Sequence, residues 1–268
     1  MGVTFLTTLA AGMMGLLAVC PVRQIAWRYL RTATTIALAL QALASAWLIM
    51  APSPLSAGNR WPAMVLLGMG AAATVAAAAL SPAAEPRPGP FRVASAVAGA
   101  TELAMALWWG RLDGLWPRSG QAFLWTAMVG QTLGALVLGS VTLAWLLGHA
   151  YLTATHMSIA PLRRLSDFFL LAVVVRTSFV VLALGTVWAG LAGDAAAPLG
   201  RLASQWIISS LRFSVGLIVL GVFAYMVRDC VRVRNTQSAT GILYFASVTA
   251  YVGELSNQYL VQQTGLGF

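Results

Sequence analysis

Apolar residues in this chain do not alternate with polar ones. They run on for about 20 positions at a time and then break, the length needed to cross ~30 Å of hydrocarbon at 1.5 Å per residue. Such runs extend from Val3 to Cys20, Leu30 to Ala51, Pro62 to Leu80, Val93 to Trp109, Gln121 to Leu147, Phe168 to Leu191, Gln205 to Val227 and Gly241 to Gln262. The breaks carry Pro, Gly and Arg, as in Pro52-Ser53-Pro54 and the Pro82 to Pro90 segment, where donors are lost and turns allowed. No soluble domain fits between them. The pattern predicts an all-α, polytopic transmembrane helical bundle of about eight spans, a single integral membrane domain over residues 1–268. The first run lacks a basic stretch before it and a small-residue cleavage signal, so it reads as a retained helix.

Composition agrees. Hydrophobic residues make up 59% of the chain and charged ones 9%, outside the globular range. A pI near 10.8 raises the question of nucleic acid. The basic residues are all Arg, however, and are scattered over short loops, so they report membrane topology instead. Arg23, Arg28, Arg31, Arg87, Arg92, Arg163, Arg164, Arg228, Arg232 and Arg234 lie in odd-numbered loops, against Arg60, Arg111, Arg118 and Arg201 in even-numbered ones. Positive loops stay inside, which puts both termini outside a bacterial-type inner membrane. Tryptophan is skewed the other way: Trp47, Trp61, Trp108, Trp109, Trp116, Trp125, Trp188 and Trp206 fall at outer ends, Trp27 and Trp145 at inner ends. Interfacial anchoring accounts for most of this, and a docking surface for a second subunit is the sharper reading.

Small residues recur at helical spacing in Ala11/Gly15, Gly68/Ala72, Gly130/Gly134 and Ala135/Gly139, where neighbouring helices can approach closely. No polar positions match when the first four spans are laid on the last four, so an internal repeat is not expected.

Four charges interrupt the apolar runs: Glu102, Arg176, Arg212 and Glu254. A charge at the bilayer centre costs roughly 2.5–3.5 kcal/mol on insertion scales, so such residues face the bundle interior and find partners. Counted from the expected ends, Glu102 and Arg176 lie ~15 and ~12 Å from the cytoplasmic side, whereas Arg212 and Glu254 fall in the outer half. The expected pairs are Glu102 with Arg176 and Arg212 with Glu254. Ser247, Tyr251, Glu254 and Gln258 share one face of the last span, with Asn257 and Tyr259 close by, and this stripe cannot face lipid. Glu254 there is placed to take a proton and Arg212 to hold an anionic or carbonyl-bearing ligand. Gln41 and Gln131 are further contributors to the same polar interior.

A second candidate lies at the cytoplasmic end of the fifth span, where His149, Tyr151 and His156 precede Pro161, Arg163 and Asp167. Pro161 suits the first turn of a short interfacial helix. The two histidines, seven residues apart on one helix, cannot sandwich a haem, and no CxxCH occurs. Cys20 and Cys230 have no metal-ligand spacing, so no metal site and no covalently bound cofactor are expected. A titratable rim of this kind suits hydrogen bonding and proton exchange with a quinone or quinol head group.

The chain carries no catalytic motif of its own. The reading that joins these features is a non-catalytic, membrane-embedded subunit of a redox or electron-transport complex, set in lipid, anchoring a partner and contacting quinone or quinol. A proton-coupled transporter or ion-conducting subunit and a structural scaffold are the alternatives.

Overall fold

The computed structural model describes residues 1–50, 57–112, 121–153, 158–189 and 196–264. These residues form helices and no strand, because each apolar run can satisfy its backbone inside a membrane only by hydrogen-bonding to itself. In chain order the helices are α1 (Gly2–Val19), α2 (Trp27–Met50), α3 (Ala57–Leu80), α4 (Pro88–Leu112), α5 (Gln121–Thr153), α6 (Ala160–Trp188), the short α7 (Ala196–Ser204), α8 (Trp206–Arg232) and α9 (Thr236–Thr264). Helices α1, α2, α3, α5, α6 and α8 are long and apolar enough to cross a membrane. Helices α4 and α9, with 25 and 29 residues, are as long but more polar. Their polar residues Ser95, Glu102, Glu254, Asn257 and Gln258 are buried among the other helices. The fold is an all-α bundle of a multi-pass membrane protein.

Several helices start earlier than expected, with consequences for depth: α4 at Pro88 and α9 at Thr236, each five residues before its expected run. The anticipated interfacial helix at Pro161 is not separate: α6 starts at Ala160, takes Pro161 into its first turn and runs unbroken to Trp188. Helix α3 likewise starts at Ala57 and carries Pro62 inside it.

The helices pack as two four-membered rings. In the first, α1 touches α2, α2 touches α3, α3 touches α4 and α4 returns to α1; in the second, α5, α6, α8 and α9 close in the same order. Helices α1 and α5 lie side by side and join the rings. They form the interior wall, with 67% of each span buried against 28–33% for α2, α3, α6 and α8. The repeat is one of neighbour order, which a comparison of polar positions did not reveal.

Glycine makes the seams close. A Cβ on Gly12 of α1 would collide with the backbone of Ala135 on α5, and one on Gly139 would strike the backbone of Gly12. Gly99 of α4 faces the backbone of Gly15, where an added Cβ would stand 2.6 Å from the amide nitrogen. Gly216 of α8 faces Gly253 of α9, again with 2.6 Å to a Cα. Gly68 differs from expectation: a Cβ there meets open space, so it mediates no close approach.

The turn from α8 to α9 is read directly from local chemistry. The Asn235 amide donates to the Cys230 carbonyl at 2.9 Å and the Arg234 amide to Val231 at 3.1 Å, a Schellman stop with Arg234 in the left-handed region at φ 61°. Asn235 then caps α9 by accepting from the Ser238 amide at 3.1 Å.

Candidate functional site

The stripe on α9 does face inward. Ser247, Glu254, Asn257 and Gln258 are buried, and Tyr251 is half-buried with its hydroxyl 2.8 Å from Thr142 Oγ1 on α5 and its ring edge-on to Phe5 of α1.

Glu254 is the centre of this layer. Its Oε2 lies 3.3 Å from Arg176 Nη2 on α6 and 3.7 Å from Arg212 Nη1 on α8, while Oε1 accepts from Asn257 Nδ2 at 3.0 Å. Arg176 also donates through Nη1 to the Gly130 carbonyl on α5, and Arg212 to the Gly253 carbonyl at 3.3 Å. One carboxylate thus ties together three helices of the second ring, with a backbone contact to the fourth. The space for it comes from Gly134 of α5, where a Cβ would stand 2.7 Å from Glu254 Oε1. Arg212 reaches the layer from a π-helical stretch, Leu211–Val219, whose wide turns put Arg212, Gly216 and Leu217 on the buried side. Such stretches inside α-helices are frequent at functional sites.

The expected Arg212–Glu254 pair is therefore present, but Glu102 and Arg176 do not pair. Arg176 lies ~24 Å along α6, level with Glu254 at ~27 Å along α9 and with Glu102 at ~21 Å along α4, so depth alone does not choose its partner. Helix α4 packs against α1 and α3, and α6 against α5 and α8, so the two residues belong to different rings. Glu102 stands apart, fully buried against Gly70 of α3.

The two glutamines separate in the same way. Gln131, next to Gly130, donates to Thr8 Oγ1 across the α1–α5 seam, in the Glu254 layer. Gln41 of α2 donates to Thr74 Oγ1 of α3 at 2.8 Å and belongs with Glu102. Around Glu254, several buried polar atoms have no hydrogen-bond partner among the described residues: Arg176 Nε, Asn257 Oδ1, and both Nε2 and Oε1 of Gln258. Buried polar atoms are normally satisfied by protein, water or ligand.

Among the described residues the rim at the end of α5 is not drawn together into one site. His149 Nδ1 lies 3.1 Å from the Tyr244 hydroxyl, Tyr151 donates to the Ser158 carbonyl, and Asp167 is engaged at 2.7 Å by Arg228 Nε. Arg163 is exposed, and His156 lies outside the described residues. Among the described residues no group of three or more His, Cys, Asp and Glu side chains is arranged to hold a metal ion.

Sequence reasoning passed over Gly134 and Thr8 as site components. In the sequence Gly134 reads as a packing residue, and its spacing of four from Gly130 is the signal that both line one face of α5 opposite the charges. Comparison with protein-family models, with curated proteins and with solved structures found no match for this chain.

Proposed function

We propose that this chain is the membrane-embedded subunit of a redox complex in a bacterial-type inner membrane, and that it recognises a quinone or quinol head group in the layer beside Glu254. Gln258 carries the reading: the residue is 2% exposed, and both the donor and the acceptor of its amide lack partners among the described residues. A quinone offers carbonyl acceptors and a quinol offers hydroxyls that both donate and accept. A side-chain amide presents complementary atoms to either form. Arg176 Nε adds a fixed donor, and Asn257 Oδ1 a second acceptor. Such a set of a few polar groups in apolar surroundings is how small-molecule sites fix orientation.

A groove of about 510 Å³ between α6 and α8, lined by Val173, Thr177, Leu217 and Gly221 among others, is the place this reading gives to the tail of such a ligand. Val173 and Thr177 bracket Arg176 on α6, so an isoprenoid tail lying in the groove would have its head near the arginine. The metal centres would belong to a partner. The exposed tryptophans Trp47, Trp61, Trp125, Trp188 and Trp206 are the docking edge in this reading.

The test is quinone binding to the purified chain, read by tryptophan quenching with a short-tailed quinone and by extraction of bound quinone. Gln258→Leu should weaken binding at least about tenfold, the effect of one lost hydrogen bond to a buried polar group, and His149→Ala should leave it unchanged. Loss with His149→Ala alone would move the head group to the rim. A chain that binds no quinone and co-purifies with no cofactor-bearing protein would defeat the proposal.

A further inference from the structure

The first ring holds a buried titratable group that the head-group site does not use. Glu102 is fully buried near the middle of α4, and neither Oε1 nor Oε2 has a hydrogen-bond donor among the described residues. Its Oε1 rests against Gly70, in the place a side chain would take. The Gly70 carbonyl accepts from Thr74 Oγ1 at 2.9 Å, and Thr74 Oγ1 in turn accepts from Gln41 Nε2 at 2.8 Å. Gln41 Oε1, 1% exposed as a residue, is a third oxygen without a donor. The layer is therefore rich in acceptors and short of donors: Thr74 has spent its hydroxyl hydrogen on Gly70.

Among the described residues no cation is placed to remedy this. Helix α1 carries no charged side chain. On α3 the one charge is Arg60, ten residues before Gly70, and on α4 itself Arg92 and Arg111 are ten and nine residues from Glu102, all ~14–15 Å away along the axis. Helix α2 has Arg28, Tyr29 and Arg31 in its first turns, and the titratable groups of α5, His149 and Tyr151, lie near its end. A carboxylate so placed has neither counter-ion nor hydrogen-bond donor, whereas one added proton turns a surplus acceptor into the missing donor.

We propose that Glu102 is the proton-binding group of a second site in the first ring, with Gln41 Oε1 as the acceptor for the carboxyl O–H. The site binds and releases a proton inside the membrane, at a place separate from the Glu254 layer. It is a candidate entry or exit station for protons accompanying the chemistry of this protein. The inference stands without the head-group reading, since it rests on the other ring and on different residues.

Infrared spectroscopy of the purified full-length protein in lipid nanodiscs tests it, together with dicyclohexylcarbodiimide labelling. This reagent takes a protonated buried carboxyl: the carboxyl oxygen bonds to the carbodiimide carbon and the proton passes to nitrogen. The expected results are a protonated-carboxyl band that vanishes in Glu102→Gln and persists in Glu254→Gln, and labelling located at Glu102 by mass spectrometry. Gln41→Leu should move the band to higher frequency, as for a carboxyl without an acceptor. An unchanged band in Glu102→Gln overturns the proposal, as does protection of Glu102 from labelling by sodium at constant pH, which would make the ligand a metal cation. Should Glu102→Gln fail to fold, labelling of the unaltered protein decides: absence of label at Glu102 overturns the proposal. Quinone binding can fail without touching any of these readouts.

Discussion

Arg176 of α6 contacts both oxygens of Glu254 of α9, at 3.3 and 3.5 Å, while Arg212 of α8 reaches the same carboxylate at 3.7 Å. The nearer arginine is the one that depth counting had assigned to another partner. Removing one member of a buried ion pair leaves the other uncompensated, at a cost of about 3–5 kcal/mol. Glu254→Gln and Arg176→Met are expected to destabilise by roughly that amount in thermal unfolding of the detergent-solubilised protein. A double-mutant cycle should give a larger coupling for Arg176 with Glu254 than for Arg212 with Glu254. Equal couplings would mean that the two arginines share the carboxylate evenly.

Gly134 and Gly68 make opposite predictions from the same substitution. Alanine at 134 places a methyl 2.7 Å from Glu254 Oε1, and at 68 it meets nothing within 4 Å. Gly134→Ala should cost about 1–3 kcal/mol, as overpacking does, and should weaken ligand binding in the Glu254 layer. Gly68→Ala should leave the melting temperature unchanged or raise it. A neutral Gly134→Ala would show that the carboxylate can shift without loss.

Arg234 holds the left-handed position that stops α8, a conformation costing an L residue about 1–2 kcal/mol and glycine almost nothing. Arg234→Gly is therefore expected to stabilise the folded protein by up to about 1 kcal/mol, part of the gain being lost to the greater freedom of glycine when unfolded. Thermal unfolding reads this. A fall in melting temperature would show that the arginine side chain matters more than its backbone.

Cys20, just past the end of α1, is buried, and burial pushes its thiol up to about 12, with the Arg92 guanidinium pulling in the opposite direction. Arg92 also donates to the Cys20 carbonyl at 3.2 Å. The thiolate is the reactive form, so a higher value means less of it at any pH below 12. Cys20 is expected to resist maleimide as the pH is raised from about 7 to about 9, a range in which an ordinary thiol becomes largely thiolate. Half-buried Cys230 is the internal comparison, with both sites followed by mass spectrometry. Rapid labelling of Cys20 at the upper pH would contradict its burial.

Much of this was legible in the sequence, for a physical reason. A membrane demands long apolar runs and penalises stray charges, so the all-α class and the inward face of α9 could be read from residue type alone. What could not be read was which helices are neighbours. Glu102 and Arg176 match in depth on the observed helices as well, at ~21 Å along α4 and ~24 Å along α6, yet α4 and α6 belong to different rings; Leu162 and Leu165, both buried, extend the apolar face of α6 back to Pro161. Depth is a one-dimensional quantity, and pairing also requires adjacency across the bundle. Gln41 illustrates the same limit, being a polar residue of the right kind that serves the other ring. Gly134 shows another: an absent side chain leaves no mark of the group that fills its place.

The glycine seam between α1 and α5 has a consequence for how the molecule can be assembled and can move. With backbone set against backbone at Gly12, Ala135 and Gly139, there are no side chains in between whose rotamers could yield, so the two rings cannot glide past one another along this line. Relative motion is confined to swivelling about it. During synthesis α1 must also keep one face uncommitted while α2, α3 and α4 close around the other, until α5 arrives to cover it.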